Sequence, residues 1–248
     1  MILVTNDDGI GAEGLLALKE VLRPLDEVMV IAPDREHSAT SHSLTLNHPL
    51  RVKKIEGSVM TMDGTPTDCV LLAFNGLLKE KPRLVVAGIN HGPNLGEDVS
   101  YSGTVAAAIE GMLQGAPSMA ISVAGRPPYS FDVASSFALK LAKMILERGV
   151  DPETLLNVNV PNVPGAKVAG VKVTKLGKRI YRDLLIRKVD PRGREYYWIG
   201  GNEPSWRSDQ RDTDFRAIED GMISITPLHL DMTDYTRMHE MENWNLSL

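Results

Sequence analysis

At 248 residues, the chain has the length of one large α/β domain, and its 43% hydrophobic and 24% charged content is that of an ordinary globular protein. A net charge of −5 without a basic block argues against binding to nucleic-acid polymers or acidic membranes. Cys69 is the only cysteine, which excludes an intrachain disulfide and a thiolate metal cage. Neither a signal-peptide pattern nor a bilayer-length apolar stretch is found, so we expect a cytoplasmic location.

The N-terminus combines a short apolar run with an acidic turn. Residues 2–4 have the β-branched and apolar composition of a strand buried on both faces, and Asn6, Asp7, Asp8 and Gly9 follow directly. In open α/β sheets, ligands bind beyond the carboxyl ends of the strands. Two carboxylates at that edge repel each other unless a cation or a shared proton relieves them, so the pattern favours a metal or phosphate site over a plain turn with a helix cap.

A helix, a strand and a polar loop follow the acidic turn. Leucines at helical spacing predict an amphipathic helix that stops near Pro24, and residues 27–32 predict a second strand of a βαβ unit. The loop over residues 34–43 is rich in hydroxyl side chains and opens on the same sheet edge as Asp7 and Asp8. Its hydroxyls suit a hard cation or a phosphate oxygen, although by itself the segment is typical of a flexible loop.

The next segment contains short strands and a clear helix start. Residues 44–62 alternate in short β-prone pieces, which suggests small strands at one edge of the sheet. Thr65, Pro66 and Asp68 have the order of an N-cap, an N1 proline and a capping box, which predicts a helix through residue 77. Cys69 lies inside this helix, where a core residue is expected rather than a nucleophile.

A third buried strand, residues 84–88, leads into the loop that is richest in candidate ligands. Asn90 follows the strand, a Gly- and Pro-rich loop comes next, and Ser102, Gly103 and Thr104 precede an Ala-rich helix. The free N–H groups at such a helix start form an anion site. The plainer interpretation is that Thr104 only caps the helix.

The remaining chain alternates strands and helices before its character changes. Strands are predicted over 120–123, 156–160, 168–173 and 222–225, with helices over 131–148 and 213–221 and at the C-terminus. A turn at Asp190 to Gly193 separates two extended arms, residues 182–187 and 196–199. So thin a hairpin is expected to pack on a partner subunit, and so are the nearby tryptophans.

Several of these segments together resemble the survival protein SurE family of nucleotidases. The resemblance runs in register from residue 1 to about residue 230. It is carried by V-T-N-D-D-G, A-P-D-R-E-H-S-A-T-S-H-S-L-T, G-T-P-T-D-C-V, G-I-N-H-G-P-N-L-G, Y-S-G-T-V-A-A-A-I-E-G, D-P-R-G-R-E-Y-Y-W-I-G and G-M-I-S-I-T-P-L-H. It implies a divalent-metal-dependent phosphatase that releases phosphate from nucleoside 5′- and 3′-monophosphates, and some members also trim short polyphosphate.

The resemblance also implies roles for individual residues. One divalent cation per subunit, Mg²⁺ or Mn²⁺, would be held by Asp7, Asp8, Ser38 and Asn90. Asn94, Ser102, Gly103 and Thr104 would line the phosphate pocket, and Asp7 and Asp8 would also be catalytic. An all-oxygen ligand set of this kind suits Mg²⁺ or Mn²⁺ rather than zinc or copper. The residues beside the matched positions, among them Glu36 and His91, leave the nucleotide preference open.

For the whole chain, the implied architecture is a Rossmann-like three-layer α/β/α sandwich with a protruding β-hairpin and a C-terminal extension. We expect a single domain over residues 1–248, with a core of about 1–176 and an appendage with the C-terminal segment over about 177–248. The expected partners are nucleoside monophosphates and a second or further copy of the chain, as a homodimer or homotetramer with exchanged segments.

Four alternative functions compete with this one. A haloacid-dehalogenase-type phosphatase needs a D-x-D spacing that Asp7 and Asp8 do not provide, and a zinc deacetylase needs histidine ligands that the chain does not place. A third alternative is a nucleotide-binding regulatory module whose acidic turn holds ribose hydroxyls. An interaction scaffold is supported only by the hairpin.

Overall fold

Thirteen strands and six α-helices make up the computed structural model, which describes residues 1–180, 185–199, 205–207, 210–244 and 246. The strands are β1 (Ile2–Thr5), β2 (Val28–Pro33), β3 (Val52–Glu56), β4 (Val59–Met62), β5 (Leu84–His91), β6 (Ser118–Ala124), β7 (Leu155–Pro161), β8 (Gly170–Val173), β9 (Arg179–Ile180), β10 (Leu185–Val189), β11 (Glu195–Ile199), β12 (Ser205–Trp206) and β13 (Met222–Leu228). The helices are α1 (Glu13–Leu22), α2 (Pro66–Leu72), α3 (Gly103–Leu113), α4 (Asp132–Arg148), α5 (Asp214–Glu219) and α6 (Tyr235–Met241).

A nine-stranded sheet has the order β3-β4-β2-β1-β5-β6-β7-β13-β8. The six neighbouring strands from β4 to β7 are parallel, whereas β3 and β13 run antiparallel to their neighbours β4 and β7. The chain passes from β1 to β2 on one side and later enters β5 on the other side of β1. The sheet therefore has its topological switch point between the carboxyl ends of β1 and β5, where ligands bind in such folds.

Helices cover both faces of the sheet, which confirms the predicted three-layer α/β/α class. Leucines of α1 and alanines of α4 pack with one set of sheet side chains, including Ile2 and Val4. On the other face, Leu3 and Ile31 pack with residues of α2 and α3. Since side chains alternate along a strand, Ile2–Val4 feed both cores, which explains their uninterrupted apolar run.

The predicted start of α2 and the predicted end of α4 are both confirmed. Thr65 accepts a hydrogen bond from Asp68 N, the Asp68 carboxylate accepts one from Thr65 N, and Pro66 occupies the first helical position. At the end of α4, Gly149 adopts a left-handed conformation with φ of 61°. The predicted helix over 65–77 differs in one respect, because α2 continues as a π-helical turn, Ala73–Leu77.

The hairpin of β10 and β11 forms as predicted around Asp190, and its described arms extend one or two residues further toward the turn than predicted. The structure has Leu185–Val189 paired with Glu195–Ile199, and residues 182–184 of the first predicted arm lie outside the described residues. Strand β13 comes after the predicted core boundary at about residue 176, yet it pairs with β7 inside the central sheet. The division into core and appendage stays a prediction. In the described part of the chain, none of the helices has the length and apolar character required to cross a bilayer.

Candidate active site at the topological switch point

Asp7 and Asp8 follow β1 directly and stand at the switch point. Asp7 is 5% exposed, and its side-chain Oδ1 accepts a hydrogen bond from the Thr104 hydroxyl. Gly9, with φ of 95°, completes the turn, and its carbonyl accepts a hydrogen bond from Asn6 Nδ2 over 2.9 Å. The turn thus presents two adjacent carboxylates at the sheet edge, as the sequence predicted.

The pKa values of both carboxyl groups are raised, chiefly because burial disfavours the charged form. Burial, with a smaller contribution from the neighbouring Asp8 charge, raises the pKa of Asp7 from 3.8 to about 6 against the opposing Thr104 hydrogen bond. Burial likewise raises the pKa of Asp8, and His91 opposes that shift. Two carboxylates held at such a cost are a mark of a functional site.

Asn90 and His91 end β5 on the other side of the crevice. Asn90 Nδ2 donates to the Gly92 carbonyl over 2.8 Å, which turns the amide so that Oδ1 is the atom left for a ligand. The backbone N–H of His91 donates to Asp8 Oδ2 over 3.2 Å, and its ring Nδ1 lies 3.8 Å from Asp8 Oδ1. The imidazole ring packs near Tyr129 and Phe131, so it is held beside Asp8 by aromatic contacts.

The start of α3 faces Asp7, although Thr104 does not cap the helix. Ser102 is the N-cap, and its Oγ accepts a hydrogen bond from Val105 N over 3.1 Å. Thr104 is the second helical residue and uses its hydroxyl on Asp7, so the capping interpretation of Thr104 is wrong. A Cβ on Gly103 would lie 2.8 Å from Asp7 Cβ and 3.0 Å from Asp7 Oδ2, so only glycine allows this close approach.

The loop after β2 closes another side of the site and is tied down at several points. His37 N donates to the Asp7 carbonyl over 2.7 Å, and Ser41 Oγ donates to the Ser100 carbonyl over 2.7 Å. His42 Nε2 lies 2.9 Å from Glu110 Oε2 on α3. These contacts argue against the plain flexible loop that the segment suggested by itself. They also place Ser38 on the cavity wall.

A cavity of about 850 Å³ connects these elements. Six of the eight predicted site residues line it, namely Asp7, Asp8, Ser38, Asn90, Asn94 and Ser102. Gly103 and Thr104 lie behind that wall, in contact with Asp7. Sequence patterns assign no role to the further lining residues Ala39, Asp98, Arg179 and Ile199, because these residues come together only through the path of the chain.

Asn94 is held from beneath by two buried asparagines that sequence reasoning missed. Asn157 Nδ2 and Asn159 Nδ2 both donate to the Asn94 carbonyl, over 2.8 and 2.9 Å, and Asn159 Oδ1 accepts from Asn94 N over 2.9 Å. The Asn94 side chain in turn donates to Ser122 Oγ over 2.8 Å. The sequence does contain a signal for this role, since two amides occupy alternate positions of an otherwise apolar strand. Buried polar groups need hydrogen-bond partners, so such a pair indicates a polar contact inside the core.

The residues present suit a hard divalent cation. The donors that Asp7, Asp8, Ser38 and Asn90 offer to the cavity are all oxygen atoms, which is the preference of Mg²⁺ and Mn²⁺. The Gly103 gap admits the α3 N-terminus beside Asp7, and the carboxylates have raised pKa values that a cation would lower. Among the described residues, no group of three or more His, Cys, Asp or Glu side chains forms an alternative metal site.

Comparison with known proteins identifies the family. The family model of survival protein SurE matches residues 2–183, which is more than half of the chain. The chain belongs to the SurE family. Its SurE relatives include a protein of Geobacter sulfurreducens that is 52% identical over 247 residues, covering 99% of this chain and 94% of the relative. A second, from Geobacter metallireducens, is 50% identical and covers 99% and 98%. Both relatives are named 5′-nucleotidase SurE.

A solved SurE structure has the same architecture. The crystal structure of SurE from Aquifex aeolicus superposes with a TM-score of 0.86 at 42% sequence identity, and the match covers 97% of this chain and 98% of that one. The predicted Rossmann-like α/β fold is therefore confirmed for this chain.

Proposed function

We propose that this chain is a 5′-nucleotidase that hydrolyses nucleoside monophosphates to nucleoside and phosphate with the help of one divalent cation. The observation that carries the proposal is the cavity at the switch point, where the buried carboxylate of Asp7 and the partly buried carboxylate of Asp8 face an Asn, a Ser and the N-terminus of α3. The names of the SurE relatives supply the substrate class.

Asp7, Asp8, Ser38 and Asn90 would hold the cation, either Mg²⁺ or Mn²⁺. Such a cation, when bound, polarises a phosphoryl oxygen and lowers the pKa of a coordinated water. Thr104 and Gly103 keep Asp7 in place, while the His91 backbone N–H fixes one oxygen of Asp8. The two carboxylates are thereby oriented before substrate arrives, which avoids the cost of reorganisation during the reaction.

The phosphate itself would lie against the start of α3. Backbone N–H groups at that helix end and the Asn94 and Ser102 side chains face the cavity and are suited to an anion. In hydrolysis, a water oxygen bonds to phosphorus, the P–O bond to the ribose breaks, and the departing ribose oxygen takes up a proton. Donors at α3 would stabilise the negative charge that gathers on the phosphoryl oxygens.

The proposal includes 3′-monophosphates as substrates, because the family resemblance implies them and the cavity extends beyond the carboxylates to Tyr101 and Arg179. We also propose a homodimer or homotetramer with exchanged segments, supported by apolar side chains on the hairpin such as Leu185, 66% exposed, and Trp198, 60% exposed. A cytoplasmic location is supported by the lone buried thiol of Cys69.

The decisive test combines metal removal with one conservative substitution. Purified protein is expected to release phosphate from AMP or GMP with Mn²⁺ or Mg²⁺ and to stop when EDTA is added. Asp8→Asn should abolish turnover while its thermal melting temperature stays close to that of the wild type. Asp212→Asn, at a carboxylate 75% exposed and paired with Lys172, is the matched control and should keep full activity. Undiminished turnover by Asp8→Asn would refute the assigned role.

A further inference from the structure

The cavity has an unequal distribution of charge. Among its described lining residues, four are carboxylates, namely Asp7, Asp8, Glu36 and Asp98, and one is a guanidinium, Arg179. Arg179 forms an ion pair with Asp98, so its charge is opposed within the wall. The negative charges of Asp7 and Asp8 would be offset by the proposed cation. Glu36 is the carboxylate that neither of these partners offsets.

Glu36 also has a defined position. It lies two residues before Ser38 in the loop after β2, and its Oε1 accepts a hydrogen bond from Ser38 Oγ over 2.6 Å. His37, between them, donates its backbone N–H to the Asp7 carbonyl, which fastens the loop to the acidic turn. Glu36 is exposed, and its hydrogen bond to Ser38 places its charge at the edge of the proposed phosphate pocket.

We propose that Glu36 is a specificity-determining residue that restricts the site to substrates with a single phosphoryl group. The inference rests on the proposed nucleotidase function. A nucleoside monophosphate places one phosphate at the carboxylate end and an uncharged nucleoside in the rest of the cavity. A nucleoside triphosphate or a short polyphosphate would place further negative charges beside Glu36, where the described wall has no cation apart from the paired Arg179. Glu36 should therefore disfavour the cleavage of polyphosphate, which the family resemblance suggested.

The kinetic test compares kcat/KM for AMP, ATP and tripolyphosphate, with the divalent cation in excess of every substrate. In Glu36→Gln, which keeps an acceptor for the Ser38 hydroxyl, the preference for AMP over the two longer anions should fall by about tenfold or more. Glu36→Asp retains the charge and should retain the preference. Glu80→Gln removes one exposed carboxylate away from the cavity and should behave like the wild type.

Salt dependence separates a charge effect from a change of shape. The preference of the wild type should weaken as ionic strength rises, because salt screens the repulsion, whereas the preference of Glu36→Gln should respond little. A binding measurement supplies the second readout. In calorimetric titrations, wild-type protein should favour methylphosphonate over methylenebisphosphonate, neither of which is hydrolysed, and Glu36→Gln should lose most of that difference.

An unchanged AMP preference in Glu36→Gln, with active protein, would overturn this inference and leave the nucleotidase function intact. Wild-type protein that hydrolyses neither AMP nor the longer anions would instead refute the proposed function. Equal loss of preference in Glu36→Asp and Glu36→Gln would also overturn the inference, since it would assign the effect to side-chain length rather than charge.

Discussion

The ionisation of Asp7 opposes the folding of the metal-free chain. Its carboxyl group has a pKa of about 6 in the fold, against 3.8 for an unperturbed aspartate, because burial disfavours the charged form. Well below pH 3.8 the group is protonated in both the folded and unfolded states and does not affect stability. As the pH rises from about 4 to 6, the unfolded state loses this proton first, so stability falls by about 3 kcal/mol in total.

Removing that charge should therefore stabilise the metal-free protein. In EDTA at pH 8, Asp7→Asn is expected to melt several degrees above the wild type, and at pH 4 most of this difference should be lost. Adding Mn²⁺ at pH 8 should reverse the order, because the cation stabilises only the carboxylate form. Differential scanning calorimetry at both pH values measures the effect. A wild type that is the more stable protein in EDTA at pH 8 would contradict it.

At the level of elements, strand β7 positions the loop that carries Asn94. Asn157 and Asn159 are fully buried and point to the same face of the sheet, because they are two positions apart. They are not equivalent: Asn159 satisfies both the N–H and the carbonyl of Asn94, whereas Asn157 satisfies the carbonyl alone. Asn157 Oδ1 accepts no hydrogen bond in the described structure.

Leucine substitution should distinguish these two asparagines. Asn159→Leu leaves the Asn94 N–H without an acceptor in the interior, which costs about 1–3 kcal/mol, and it frees the loop, so KM for AMP should rise more than kcat falls. Asn157→Leu leaves the Asn94 carbonyl paired with Asn159 and should cost less on both measures. Urea unfolding and steady-state kinetics test this order, and equal effects would show that the loop is fixed by other contacts.

For the whole molecule, the hairpin and the C-terminal helix expose apolar side chains that the central sheet does not cover. On the hairpin, Leu185 and Tyr197 lie on one face, and Ile186 and Trp198 lie on the other. All four are at least 40% exposed, and a two-stranded hairpin has little stability without a surface to pack on. Met232 near α6 is 93% exposed. This distribution of apolar surface is typical of an interface between subunits.

The assembly prediction follows from those faces. Deletion of residues 182–199 should lower the mass measured by light scattering after size exclusion, and so should the double variant Ile186→Ser with Trp198→Ser. Arg192→Ser at the polar turn is the control and should leave the mass unchanged. A deletion variant with the same mass as the wild type would refute a role of the hairpin in assembly.

Much of the fold and half of the site chemistry could be predicted because the relevant signals are local. An apolar run followed by Asp7 and Asp8 identifies a buried strand and a strand-end site, and Thr65 with Asp68 identifies a helix start. The role of Thr104 was not predictable, since capping and a bond to Asp7 require the same residue type at nearly the same position. The roles of Asn157 and Asn159 are not evident from the sequence, because their partner, Asn94, lies more than sixty residues away.

Hydrophobic periodicity and capping chemistry by themselves determined the order of strands and helices, and family resemblance supplied the candidate ligands. Those signals depend on neighbours within a few positions, which a linear sequence displays directly. Only the tertiary structure decided that β1 and β5 are adjacent and that Glu36 and Arg179 share a cavity with Asp8. Only the tertiary structure, likewise, placed the start of α3 against Asp7. Such proximity depends on the order of the strands in the sheet and on the long connections between them. The interactions that select this order are spread over the whole core.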